Sequence, residues 1–302
     1  MAIATIVLAA LIIICIIIYI LVDEQYNMNY SLLEQEKNIE IQRNLVVEKN
    51  REISFQKNEI TSSIESAKRI QQALLPSRDL LKKHLKQYFL FYKPRDIVSG
   101  DFYWVSKIKN KIIVAVGDCT GHGVPGAFVS LLGISFLNDI VIKEHKLSPN
   151  IILDILRDRI ITSMNQIEDG MDISLVVIDE KNKCLEFSGA NNSCIIIRNE
   201  ELIELKGDLM PIGKMVERNG LFTNHKINLE KGDNIYCFSD GIVDQFGGQH
   251  GKKLKTKYFI EVLMKMKDKE IEDQYIFLEE FFNYWIQGYE QIDDISVLGI
   301  KI

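Results

Sequence analysis

From Ala2 to Val22 the chain runs AIATIVLAALIIICIIIYILV, 21 residues without a charge, enough for a helix to cross the roughly 30 Å hydrocarbon core of a bilayer. The run is apolar on every face, which predicts a transmembrane helix over 2–22 rather than a core helix. It lacks the basic lead and small-residue cleavage site of a secretory signal. Residues 23–75 are polar and almost free of Gly and Pro, but Leu32, Ile39, Val46, Ile53, Ile60, Ala67 and Leu74 recur at intervals of seven. That heptad seam predicts a coiled-coil signalling helix over 23–75 and, through it, a homodimer. The companion seam, Gln35, Gln42, Lys49, Gln56, Ser63 and Ile70, is mostly polar, so the coil is expected to be weak alone, with a solvated helical linker as the alternative. Pro76 is expected to end the helix.

Beyond Pro76 the pattern shortens. KIIVAVGD, DISLVVID, KCLEFSGA, CIIIRN, LIELKG, NIYCFSD and DISVLGIKI read as strands, mostly continuous apolar runs bounded by turn residues. GAFVSLLGISFLNDIVIKEH (126–145) and NIILDILRDRIITSMNQI (150–167) have helical spacing, and a third helical region is expected over 258–289. Strands and helices do not alternate regularly, so the pattern predicts a layered α+β domain over 76–302 rather than a doubly wound parallel sheet.

The formal net charge of -6 gives no reason to expect nucleic acid as a partner. Five cysteines, none in C-x-x-C spacing, suggest free thiols in a reducing compartment rather than a zinc site. Lys37, Arg43, Lys49 and Arg51 follow the apolar run and no basic residue precedes it. The positive-inside tendency then predicts a single-pass protein of the inner or plasma membrane, its folded domain cytoplasmic. No sensor segment is expected ahead of the helix.

The chemistry lies where apolar strands meet aspartate. VAVGD ends at Asp118, IYCFSD ends at Asp240, Asp293 and Asp294 precede ISVLGI, and Asp101 sits in VSGDFYW. Carboxylates gathered at neighbouring strand ends repel one another unless a cation neutralises them. Oxygen-only ligation suits Mg²⁺ or Mn²⁺, and two such ions sharing a bridging carboxylate acidify a water for attack on a phosphoryl group. Each aspartate taken alone reads better as a helix cap or turn residue, as Asp240-Gly241 would be; four such motifs together favour the metal. Gly121, Gly123 and Gly126 spell G-x-G-x-x-G, but the acidic residue a dinucleotide site wants further on would be Asp139, inside a helical stretch. The glycines fit better as a tight loop serving Asp118. His122 and Ser130 lack the surrounding motif of a hydrolase triad.

In this order, KPRDIVSGDFYWV, VGDCTGHGVPGAFVSLLG, FSGANNS, FSDGIVDQFGG and DDISVLGIKI, preceded by SAKRIQQALLPS, resemble the SpoIIE-type, RsbU-like branch of the metal-dependent type 2C serine/threonine phosphatases. The resemblance implies an αββα sandwich with two Mn²⁺ or Mg²⁺ ions between the sheets. It implies that Asp118 bridges the ions, that the Cys119 carbonyl and Asp101 serve one of them, and that Asp240 with Asp293 or Asp294 holds the other. Arg95 is a candidate phosphate clamp, an ordinary surface ion pair being the alternative. His122 is expected to serve the loop rather than to act as a general acid. The implied function is hydrolysis of phosphoserine or phosphothreonine on a protein partner, an anti-sigma-factor antagonist by family habit. A non-catalytic scaffold that binds phosphorylated partners is the competing class.

Overall fold

The computed structural model describes residues 2–164, 169–214 and 220–302. The chain divides into two compact units, Met1–Ser63 and Ile64–Ile302. Helix α1 (Ala2–Leu74) supplies the first unit and the opening turns of the second. No Gly or Pro interrupts it, and it stops at Leu74 because Pro76 disfavours helical geometry at Leu75.

In the first unit the apolar side chains of the opening turns are exposed all round, from Ile3 to Val22. The helix is long and apolar enough to cross a membrane by length and composition, and none of its apolar window is buried. The heptad residues Leu32, Ile39, Val46, Ile53 and Ile60 are likewise exposed.

The second unit is two five-stranded antiparallel sheets with helices on both outer faces. One sheet is ordered β1-β12-β9-β6-β7 and the other β2-β3-β4-β5-β8. Its strands are β1 (Tyr88–Lys93), β2 (Phe102–Ile108), β3 (Lys111–Cys119), β4 (Met171–Asp179), β5 (Cys184–Ala190), β6 (Cys194–Arg198), β7 (Glu201–Leu205), β8 (His225–Asn228), β9 (Asn234–Phe238) and β12 (Ile295–Lys301). β10 (Phe246–Gly247) and β11 (Lys252–Lys253) form a small separate hairpin. The helices are α2 (Arg78–His84), α3 (Gly123–Leu137), α4 (Pro149–Ser163), α5 (Asp240–Asp244), α6 (Thr256–Met266) and α7 (Ile271–Trp285). Every predicted strand is present, the strand-like stretch VSGDFYW leads into β2, and β1, β8 and the β10–β11 hairpin add to them. The helical stretch predicted over 150–167 forms α4, residues 165–167 lying outside the described residues. The region expected over 258–289 is two helices, and after α3 the chain continues as a π-helical segment, Asn138–Lys143.

Alternation explains why the strands read as continuous apolar runs. In β3, Ile112, Val114 and Val116 face the second sheet, where they meet Ile196, Ile235 and Leu298. Ile113 and Ala115 point the other way, onto Leu137, Ile152 and Leu156 of α3 and α4. On the opposite outer face Phe91, Ile195 and Val297 pack on Phe259, Leu278 and Phe282 of α6 and α7. Three apolar layers between four structural layers make an αββα sandwich, the arrangement expected from the motifs.

Candidate metal centre

β3 carries Asp118 and Cys119 at its C-terminal end, and the chain then turns through Thr120, Gly121 and His122 into α3. Gly121 and Gly123 hold φ of +79° and +65°, a region costly for side chains with a Cβ. Gly100 and Gly126 meet this loop from two other elements. A Cβ on Gly126 would lie 2.1 Å from the Gly121 carbonyl oxygen, and one on Gly100 would lie 2.6 Å from the same atom. The glycines therefore press the loop after Asp118 against the residue preceding Asp101. Thr120 fixes the other side: its N–H and hydroxyl meet the Gly170 carbonyl at 3.0 and 3.1 Å, and its hydroxyl accepts from the Gly170 N–H.

Asp240 opens α5 directly after β9, and Asp293 and Asp294 lead into β12, the neighbour of β9. There is no room for a side chain at Gly241, where a Cβ would sit 1.9 Å from the Asp294 carbonyl oxygen. That close approach brings Asp240 and Asp293 to one place. Asp118, Cys119, Asp240 and Asp293 line a cavity of about 260 Å³ together with Gly121, His122 and Asp172.

The other predicted residues have different surroundings. Asp101 is 1% exposed and lies behind this lining. Its Oδ2 accepts from the Ser239 hydroxyl at 2.6 Å, and its Oδ1 is buried without a partner among the described residues. Asp294, 3% exposed, has both oxygens engaged: Oδ1 accepts from the Arg95 N–H and Oδ2 from the Gly100 N–H, each at 2.7 Å. Asp293 Oδ1 accepts from the Asp294 N–H at 2.9 Å, and its side chain faces the cavity. Arg95 is exposed, and its Nη1 donates to the Ile292 carbonyl at 2.8 Å rather than lining the cavity. His122 sits 2.8 Å from Asp96 Oδ2 through Nδ1, which anchors the loop.

Two residues missed in the sequence belong here. Asp172 lies directly across the β3–β4 ladder from Asp118, and its Oδ1 accepts from Asn191 Nδ2 at 2.7 Å. Pairing of two apolar runs that each bear an aspartate at one end would have found it. Gln71, buried on the last turns of α1, reaches the loop before Asp101. Its Nε2 donates to the Ser99 carbonyl at 2.6 Å and to Ser130 Oγ at 3.0 Å, and its Oε1 accepts from the Ser99 N–H.

The electrostatics follow from crowding acids in a buried place. Burial pushes the Asp118 carboxyl up to about 10, with the charges of Asp101 and Asp240 and a hydrogen bond to Asp240 adding to it. Burial likewise lifts Asp101 to about 7, and the carboxyls of Asp172 and Asp293 are raised, burial again leading. Among the described residues no lysine or arginine lines the cavity. Among the described residues no three acidic, His or Cys side chains are already closed to ligating distance; the carboxylates stand around the cavity wall. An orphaned Asp101 oxygen, acids that resist ionisation, and a lining of hard oxygen donors fit a site for divalent cations such as Mg²⁺ or Mn²⁺.

Residues 109–302 match the family described as Stage II sporulation protein E (SpoIIE). Phosphoserine phosphatase RsbU of Bacillus subtilis (strain 168) is 25% identical over 198 residues, covering 62% of this chain and 55% of RsbU. The chain thus spans about half the length of the curated relative it matches. Among solved structures, the SiaA-PP2C domain of Pseudomonas aeruginosa superposes with a TM-score of 0.76 at 30% identity, covering 82% of this chain and 98% of that one. The PP2C phosphatase domain of the cell fate determinant SpoIIE from Bacillus subtilis, with a fragment of its regulatory domain, has a TM-score of 0.58 at 21% identity over 72% of this chain and 63% of its own. With well over half its length matched and the αββα sandwich in place, the chain belongs to the SpoIIE family, and its folded unit is a PP2C-type domain.

Proposed function

We propose that the chain is a membrane-anchored, metal-dependent phosphatase that hydrolyses phosphoserine or phosphothreonine on a protein partner. One observation carries this reading: Asp118, Asp240 and Asp293, from the ends of strands in both sheets, face a single cavity of about 260 Å³ that no lysine or arginine among the described residues lines. When bound there, a pair of Mn²⁺ or Mg²⁺ ions would supply an acidified water and positive charge for the phosphoryl oxygens. Asp118, whose carboxyl feels the charges of Asp101, Asp240 and Asp293, would bridge. The Cys119 carbonyl, with Asp101 behind it, would complete one side, and Asp240 with Asp293 the other. Asp293 suits ligation better than Asp294, whose two oxygens already accept backbone N–H groups. Arg95 keeps the task of phosphate clamp only if its guanidinium leaves the Ile292 carbonyl.

Residues 2–22 would span the membrane and 23–75 would pair two copies, leaving 76–302 in the cytoplasm. The fully exposed apolar opening of α1 and its unpaired heptad residues support that arrangement. The name of RsbU and the motif resemblance support a phosphoserine on an anti-sigma-factor antagonist as substrate. The hydrogen bonds of Gln71 to Ser99 give the coil's end a route to the Asp101 side of the site.

The test is hydrolysis of a phosphoserine peptide by the full chain in detergent, with Mn²⁺ or with EDTA. Release of phosphate only with Mn²⁺, and its loss in Asp118→Asn, is the expected result. A folded wild type that binds Mn²⁺ and the phosphopeptide yet releases no phosphate would overturn it in favour of a scaffold.

A further inference from the structure

A second cavity, of about 560 Å³, lies at the other end of the strands that carry the carboxylates. Ile112 stands near the start of β3, six residues before Asp118, and Ile300 near the end of β12, six residues after Asp294, a separation of about 20 Å along an extended strand. Ile112 and Ile178 come from one sheet and Ile300 from the other, while Leu85 and Leu229 close the wall from the connections before β1 and β9. The floor is therefore apolar and shared between both sheets.

Its mouth is charged, and the charges are unevenly spent. Each acid there already has partners: Asp179 accepts from the backbone and side chain of its own turn at Lys181 and Asn182, Glu180 pairs with Lys107, and Glu230 pairs with Arg198. The lysines do not. Lys86, Lys183 and Lys231 border the cavity as exposed side chains, and none has an ion-pair partner among the described residues. His84 at the same mouth is held below its ordinary value by burial and then by the charges of Lys83 and Lys107, consistent with a local positive potential. In a chain of net charge -6, an apolar cavity with unspent lysines at its mouth is a local exception.

We propose that this cavity binds a monoanionic amphiphile, its apolar tail against Ile112, Ile178 and Ile300 and its carboxylate-like head among Lys86, Lys183 and Lys231. The volume suits one small molecule. Three separate ammonium groups suit a single compact head, since lysine acts as a point charge where arginine would impose a planar fork. The inference does not depend on the chain being a phosphatase.

The test is lysine footprinting of the full chain in zwitterionic nanodiscs, with an amine-reactive reagent and mass spectrometry, using decanoate below its micellar concentration as the probe. Labelling of Lys86, Lys183 and Lys231 should fall about threefold at two-thirds occupancy, with Lys252 and Lys257, on other elements, unchanged. 1-Decanol and decyltrimethylammonium should give no protection. The double variant Lys183→Glu/Lys231→Glu, which alters only exposed side chains, should lose the decanoate protection at Lys86. Absence of protection, equal protection by the alcohol or the cation, protection that extends to Lys252 and Lys257, or protection that survives in the double variant would each overturn the proposal.

Discussion

Replacing Asp118 with asparagine should stabilise the metal-free chain and at the same time abolish its response to Mn²⁺. In the folded unit the Asp118 carboxyl is pushed up to about 10 from a usual 3.8, so near neutral pH it holds a proton that the unfolded chain releases. Each pH unit between the usual value and the working pH costs about 1.4 kcal/mol. Over roughly three units the upper limit is about 4 kcal/mol, and relaxation of the neighbouring acids reduces it to about 2–4 kcal/mol. Asparagine has nearly the same shape, cannot ionise, and can still hydrogen-bond Asp240. For a domain of this size that gain is a rise in melting temperature of about 5–10 °C. The readout is selective, because both tryptophans of the chain, Trp104 and Trp285, lie in the second unit. Fluorescence melts of the full chain in detergent, with EDTA or with Mn²⁺, would measure it. Wild type should gain about 3 kcal/mol at a hundredfold excess of Mn²⁺ over its dissociation constant, and the variant almost nothing. If Asp118→Asn melts below wild type in EDTA, or keeps the Mn²⁺ shift, the argument from carboxylate crowding fails.

The raised carboxyls of Asp101 and Asp118 bind more protons folded than unfolded, so metal-free stability should be greatest near pH 4 and fall as pH rises through about 7; melts in EDTA across that range check the sign. Asp294→Ala should lower stability by about 3 kcal/mol, because the buried N–H of Gly100 and the part-buried N–H of Arg95 lose their acceptor, whereas Asp293→Ala should cost little stability and at least tenfold in Mn²⁺ affinity by calorimetry. Gly126→Ala should weaken Mn²⁺ binding without touching any ligand, since its Cβ would meet the Gly121 carbonyl at 2.1 Å. Gln71→Ala should cost about 2 kcal/mol in urea titrations through the lost bonds to Ser99 and Ser130, and should reduce phosphopeptide turnover more than peptide binding.

How much of this was legible in the chain depended on range. Asp118 and Asp240 stood out because each closes an apolar run, and the core strands β3, β4, β6 and β9 stood out because burial on both faces leaves them with few polar positions. β8 did not, since His225–Asn228 is four residues long with only alternate positions half-buried. α2 was hidden by its seven-residue length, although Ser77 caps it by accepting from the Leu80 N–H. The break between α6 and α7 falls at Lys267–Glu270, which has no Gly or Pro to announce it. Asp172 and Gln71 were missed for a stronger reason. Asp172 acquires its place only when β4 pairs antiparallel with β3, and Gln71 only when its helix docks on residues 28 and 59 positions away.

The adjacent aspartates before β12 show what the fold does with residues that the chain cannot rank. Asp293 sits at a bend and Asp294 just before β12, and the two side chains take different directions. Asp293 faces the cavity, while Asp294 turns inward and draws the N–H groups of Arg95 and Gly100 onto its two oxygens. That choice ties β12 of one sheet to the segment that leads into Asp101 and β2 of the other. The same segment is held from its far side by Gln71 through Ser99, one residue before Gly100. The position of Asp101 is thus fixed between a carboxylate whose two oxygens accept backbone N–H groups and an amide on the end of α1. Loss of either hold would leave Asp118, Asp240 and Asp293 in place and move the acid whose Oδ1 has no partner among the described residues. A small displacement of residues 99–101 would therefore alter the Asp101 side of the cavity with both sheets left intact.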